Sequence, residues 1–307
     1  MKKGMGFVYK FLLAACAFLL ISAAVLPTSP ADAADRKWMN QIWKAYETFN
    51  AKTVKAYEVY QNQIEENYDR FYESSQARID ELERKVLEDL KMWDAKLQAD
   101  YEQLKQRYGN DRSLADELRE YSRDISLTNM SSPMWKYNKD ASRTFMNSLM
   151  WKYGKELSDT FLNSSMWTYR KTISPTYLNS AAWLMNKNVS STYLNSNMWN
   201  LRNASSSTYL NSPMWKYRLG KMSKAQAQKQ YDQLYKKYTA ALAKVNAEQK
   251  KYIAEMESGT KKKLDELYLA TIKGLEDQRE NALQAVSELR KKIAGEGLEW
   301  KPLLVTP

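Results

Sequence analysis

The chain of 307 residues has no histidine and a single cysteine, Cys16, which sits inside an N-terminal apolar run. Beyond that run there is neither thiol nor imidazole. Disulfides, thiolate or imidazole metal sites, and Cys-His or Ser-His-Asp nucleophiles are therefore excluded. Histidine is the commonest proton-transfer side chain, and carboxylates alone are a thin basis for acid–base chemistry. The sequence reads as a non-enzyme, with no cofactor and no metal. A bilayer-spanning segment is also missing, since no stretch after the N-terminus is apolar enough to cross as a helix.

The N-terminus reads as a secretory signal peptide over residues 1–33. Lys2, Lys3 and Lys10 supply a basic start, and 11–26 is uncharged and mostly apolar. Pro27, Pro30 and the small-x-small site Ala31-Asp32-Ala33 follow, which places cleavage before Ala34. A lipoprotein box ending at Cys16 is the rival, but the chain stays apolar after that cysteine. The run also falls short of the roughly 20 residues needed for an uncleaved anchor. The expectation is an exported protein, secreted or held at the envelope.

Negative charge is scarce in the middle. Residues 126–221 carry 12 Lys/Arg against 3 Asp/Glu, whereas 34–125 are net acidic. The positive field is thus concentrated in one block.

Two segments share an eleven-residue rhythm. Steps of 4, 4 and 3 from Trp38 reach Tyr108, and 18 of the 20 positions visited are apolar or aromatic. Steps of 3, 4 and 4 from Tyr231 reach Ile293, with 14 of 18 apolar or aromatic. Three contacts per eleven residues keep a stripe on one face of a nearly straight helix. Gly109-Asn110 ends the first helix, Ser223 and Gln226 form a capping box for the second, and Gly295 and Gly297 stop it. Each would extend roughly 105–110 Å at 1.5 Å per residue. Near-equal spans suggest an antiparallel coiled-coil hairpin, which would bring Leu97 close to Leu242. A parallel self-assembled rod is the alternative. The expected divisions are long helices at 34–109 and 222–295, a connecting helix at 110–125, repeats at 126–221 and a tail at 296–307.

The block between the helices repeats. Trp135, Trp151, Trp167, Trp183, Trp199 and Trp215 are each 16 residues apart. A threonine precedes each by seven residues and a serine by three; an asparagine precedes five of them by four. Two residues after the tryptophans come Tyr137, Tyr153, Tyr169, Met185, Leu201 and Tyr217; four after come Lys139, Lys155, Lys171 and Lys187, then Asn203 and Leu219. The unit reads aliphatic-S-x-T-[FY]-[LM]-N-S-x-M-W-x-Y-x-K-x, and its register is unbroken over six copies.

A continuous helix would turn successive copies by about 160°, so the tryptophan face would wander. An even repeat keeps its face in an extended chain, and Thr, Tyr, Phe and Trp suit strands. The expected fold is therefore mostly α with a β-repeat insertion, a β-solenoid or β-meander at the hairpin tip. One short helix per copy is a third arrangement, with precedents among helical solenoids.

Aromatic columns flanked by lysine fit flat or anionic polymers. The candidate ligand-binding residues are the six repeat tryptophans, Tyr137, Tyr153, Tyr169 and Tyr217, and Lys139, Lys155, Lys171 and Lys187. Their bland reading is core packing, because aromatic side chains bury so much area. Export favours an envelope polyanion or glycan as the partner and disfavours nucleic acid. A membrane-active protein with a lipid-contacting β element and a self-associating structural spacer are the two alternatives. Trp and Tyr suit a membrane surface.

Overall fold

A computed structural model describes residues 30–303. The expected signal segment falls outside them, apart from the opening turn of the first helix. Two long rods dominate: α1, Pro30–Tyr108, and α9, Lys224–Ala294. Ser223 and Gln226 close a reciprocal cap at the start of α9, and Gly295 ends it in the left-handed region at φ +81°. The eleven-residue stripe of α1 is its buried face: Ile42, Tyr46, Ile64, Tyr68, Ile79, Leu82, Val86, Leu90, Trp93 and Leu97 are all in the core.

The rods run parallel, not antiparallel. Lys224 pairs with Asp35, Trp38 donates to Gln228, Arg78 pairs with Asp265, Arg279 with Asp89, and Arg290 with Asp100. Each pair is separated by almost the same number of residues, so both chains climb together. The expected antiparallel hairpin is wrong, and so is the expected meeting of Leu97 with Leu242. Leu242 packs instead with Tyr46, Met198 and Leu201, which puts it about 75 Å along the rod from Leu97 at 1.5 Å per residue. Nor are the rods a coiled-coil pair. Their backbones barely approach each other; the repeats lie against both and fill the space between.

The expected β insertion is also wrong. Among the described residues there is no strand. Each repeat forms one short helix: α3 (Pro133–Asp140), α4 (Leu149–Leu157), α5 (Ser165–Ile173), α6 (Ala181–Val189), α7 (Asn197–Ser205) and α8 (Pro213–Arg218). The serine before the tryptophan is the N-cap in all six, accepting from the tryptophan backbone N–H. Its hydroxyl also donates to the carbonyl of the serine six residues earlier. That earlier serine in turn accepts backbone N–H groups from the turn. Asn147, Asn163, Asn179, Asn195 and Asn211 hold φ between 62° and 68°, a region asparagine tolerates better than most residues. Each turn therefore breaks the helix and resets its rotation. The drift of about 160° per copy never accumulates.

The block does not sit at a tip. It begins where α1 ends, runs back along both rods, and delivers the chain to the start of α9. That return is why the rods are parallel. Its inward column fixes the register. Tyr137 donates to Asp89 beside Arg279; Tyr153 packs on Tyr268 and Tyr169 on Tyr68. Met185 lies with Tyr57 and Asn246, and Leu201 with Tyr46 and Tyr235. On α9 the partners Arg279, Tyr268, Asn246 and Tyr235 fall on an eleven-residue grid, and α1 keeps step. One 16-residue repeat thus covers one eleven-residue period of each rod, about 16 Å at 1.5 Å per residue.

The grid extends one layer further than the six tryptophans. Helix α2, Ala115–Asp124, places Tyr121 sixteen residues before Tyr137. Tyr121 donates to Asp100 at 2.6 Å, and Arg290 pairs with the same carboxylate. Leu118, Tyr121 and Ile125 are buried where Met134, Tyr137 and Ala141 are buried in the next layer. This layer has Arg119 in place of the tryptophan and a polar outer side, as an end repeat requires. At the same end of the rods, Leu298, Trp300 and Leu303 of the tail pack on the core, and Arg279 donates to the Lys301 carbonyl.

Candidate interaction surface

The repeat has an inner and an outer side, set by helical spacing. In α5, Met166, Tyr169, Thr172 and Ile173 face the rods and are buried. Trp167 and Lys171 lie on the outer side and are half-buried. The candidate residues divide along this line. Tyr137, Tyr153 and Tyr169 are core residues with almost no exposure. Burial raises all three phenol pKa values, Tyr153 to about 12. They pack the repeats to the rods and offer nothing to a ligand. Tyr217 is half-buried, with its ring edge-on to Trp38 at 5.2 Å.

The six tryptophans are half-buried on the outer side. Five meet the aromatic ring of the following turn nearly at right angles: Trp135 with Phe145, Trp151 with Phe161, Trp167 with Tyr177, Trp183 with Tyr193, and Trp199 with Tyr209. Centroid separations are 5.7–6.4 Å. Lys139, Lys155, Lys171 and Lys187 place Nζ 5.0–5.8 Å from their own indole and 4.6–5.6 Å from that next ring. Each ammonium thus lies against two π systems, which attract it. Successive lysines lie one layer apart, about 16 Å along the axis, beyond the roughly 8 Å over which exposed charges act at physiological salt. At the last tryptophan, where Leu219 holds the lysine position, Lys221 comes to 4.8 Å from the Trp215 ring instead.

Sequence reasoning missed the most exposed apolar part of the surface. Met130, Met146, Leu162, Leu178, Leu194 and Leu210 stand on the turns at 64–73% exposure. Beside them Phe145, Phe161, Tyr177, Tyr193 and Tyr209 are 41–45% exposed. The signal was in the repeat unit itself, whose [LM] position precedes the left-handed asparagine in every copy that has one. An apolar residue retained in every turn but never buried has no packing role.

The field around these turns is positive. Of the three carboxylates in the block, Asp159 is paired with Arg170, and Glu156 accepts from Ser165 and Lys263. Burial alone would raise the Glu156 pKa, but those hydrogen bonds and the Lys263 charge outweigh it and hold the carboxyl below its usual range. Among the described residues there is no cluster able to hold a metal, and no helix long and apolar enough to cross a membrane.

Fold and surface together define a stack of short helices laid along two parallel rods, with an aromatic–aliphatic–ammonium cluster at four successive turns. No family model, no curated protein and no solved structure matches this chain.

Proposed function

We propose that this is an exported, non-enzymatic rod that binds an anionic component of the cell envelope through many equivalent contacts. One observation carries the reading. Five successive turns present the same exposed Phe/Tyr and Leu/Met pair beside an indole, the first four with a lysine against both rings, while the remaining motif positions serve caps, turns and core. Many weak contacts on one stiff support give avidity without any single strong site. The basic composition of the block supplies attraction to an anionic partner. Export rests on the N-terminal sequence. The partner is an envelope polyanion, an envelope glycan or the membrane surface.

The test is co-sedimentation of the protein with purified wall polymer and with vesicles, across a range of salt. Binding that weakens as salt rises supports the reading. A protein that stays in the supernatant with every anionic envelope material at low salt overturns it.

A second reading has its own support. Glu47, Glu58 and Asp69 are exposed on α1 and spaced by eleven residues, the same axial period as the repeat layers. That row complements the cations of another copy and favours lateral self-association. Light scattering that shows mass rising with concentration at low salt, and falling back at high salt, would support it.

A further inference from the structure

We infer that the partner of the repeat face is an anionic lipid surface, on which the rod lies flat with its Leu and Met turn residues inserted. This rests on the binding reading above and names its partner class. Three observations carry it.

The first is the character of the tips. The most exposed apolar side chain of each full turn is aliphatic, Leu in four and Met in one, at 64–66% exposure. Aliphatic tips recognise neither a sugar nor a phosphodiester. They gain free energy on entering hydrocarbon, in proportion to the area removed from water.

The second is the order of groups behind the tips. A Phe or Tyr ring comes next, then the indole, with the ammonium of Lys155, Lys171 or Lys187 held against both rings. Aromatic rings favour the headgroup level of a bilayer, and a lysine there keeps its charge at the phosphates. A glycan or a single-stranded polyanion would need a free flat ring on which to stack. Here Trp135, Trp151, Trp167 and Trp183 already have a perpendicular ring and a cation against them.

The third is spacing. Contacts recur about every 16 Å along a straight support. A covalent polymer must match that period to engage successive layers. A fluid lipid surface has no period to match. Charge agrees, since 126–221 hold 12 Lys/Arg against 3 Asp/Glu, and basic groups near an anionic bilayer add to apolar insertion.

The experiment is flotation of the full chain with mixed phosphatidylcholine–phosphatidylglycerol vesicles, with pure phosphatidylcholine vesicles, and in the presence of soluble polyphosphate. Wild type is compared with a triple variant, L162S/L178S/L194S, whose helix content is checked by circular dichroism. Both carry the same apolar N-terminus, which contains no tryptophan, so a blue shift of indole emission reports on the span from Trp38 to Trp300 alone. The expected result is binding to the mixed vesicles with a blue shift, and partition lower by about tenfold or more in the variant. Polyphosphate binding should be unchanged. Equal vesicle partition of variant and wild type overturns the inference. So does wild type that binds polyphosphate or wall polymer but not vesicles, and in that case the broader reading survives. Binding to nothing anionic overturns both.

Discussion

Two small residues decide the architecture of the five full repeat turns. The N-cap serine starts a helix and ties itself back to the preceding turn, and the left-handed asparagine ends the turn. Replacing Asn163 by Gly should leave stability nearly unchanged, because glycine enters positive φ freely. Replacing it by Ala should cost about 1 kcal/mol, read as a lower denaturation midpoint. The inward tyrosines make a different prediction. Burial raises the phenols of Tyr68, Tyr121, Tyr137, Tyr153 and Tyr169, that of Tyr153 to about 12. A raised folded pKa contributes stability in full below the unfolded value of 10.0 and loses it as pH climbs toward the folded one. Urea midpoints should therefore fall steeply from about pH 10 to about pH 12, and a Tyr153→Phe variant should fall less steeply. Part of this scale was legible in the sequence. Ser132-Pro133 and Ser212-Pro213 carry proline at the first helical position, a helix-start signature. The β reading gave greater weight to Thr, Tyr, Phe and Trp. Those residues are strand formers by propensity, but here they sit in turns or pack against rods, and context prevails.

At the scale of elements, the repeats act as the mortar between two rods whose backbones barely approach and that meet directly only through long side chains. The Arg279 guanidinium grips Asp89 with two hydrogen bonds, and Tyr137 donates to the same carboxylate. Arg279 and Asp89 are 4% and 9% exposed. Arg279→Ala leaves Asp89 buried with only a phenol for company, so unfolding free energy should drop by about 3–5 kcal/mol. The double variant R279M/D89L should recover much of that loss, because an apolar pair of similar volume removes the buried charge. Close approach matters too. A Cβ at Gly274 would come 2.8 Å from Leu149 Cδ1, so this mid-helix glycine makes room for a repeat. The eleven-residue stripes were plain in the sequence, but a stripe says only that a helix has a partner. It does not say that the partner is a stack of short helices. The layer at α2 could have been found by stepping back sixteen residues from Tyr137 to Tyr121. It was hidden because Arg119 stands where the tryptophan marker would be.

At the largest scale, the described residues form a three-part rod, with α1 and α9 rising together and the stack of short helices descending between them. Equal spans had suggested a hairpin. They fit parallel rods equally well once a connector as long as the rods returns the chain, and no local sequence signal separates the two. Cysteine pairs do. Asp35→Cys with Lys224→Cys should crosslink in the purified monomer, because these side chains meet at the start of both rods. Leu97→Cys with Leu242→Cys should not, being far apart along the axis. The opposite pattern would restore the hairpin.

The shared period of the repeats and the rods also constrains how such a protein can change over time. Tandem repeats ordinarily gain and lose copies by recombination within the repeat. Here a lost copy of 16 residues would leave each rod eleven residues out of step from that point on. Removing residues 158–173 alone should yield a poorly folded protein with a broadened thermal transition. Removing 63–73 and 252–262 together with them should restore a cooperative transition in a rod about 16 Å shorter. Three separated genetic events would have to coincide for the length to shift by a single notch, so drift in copy number is held in check by geometry.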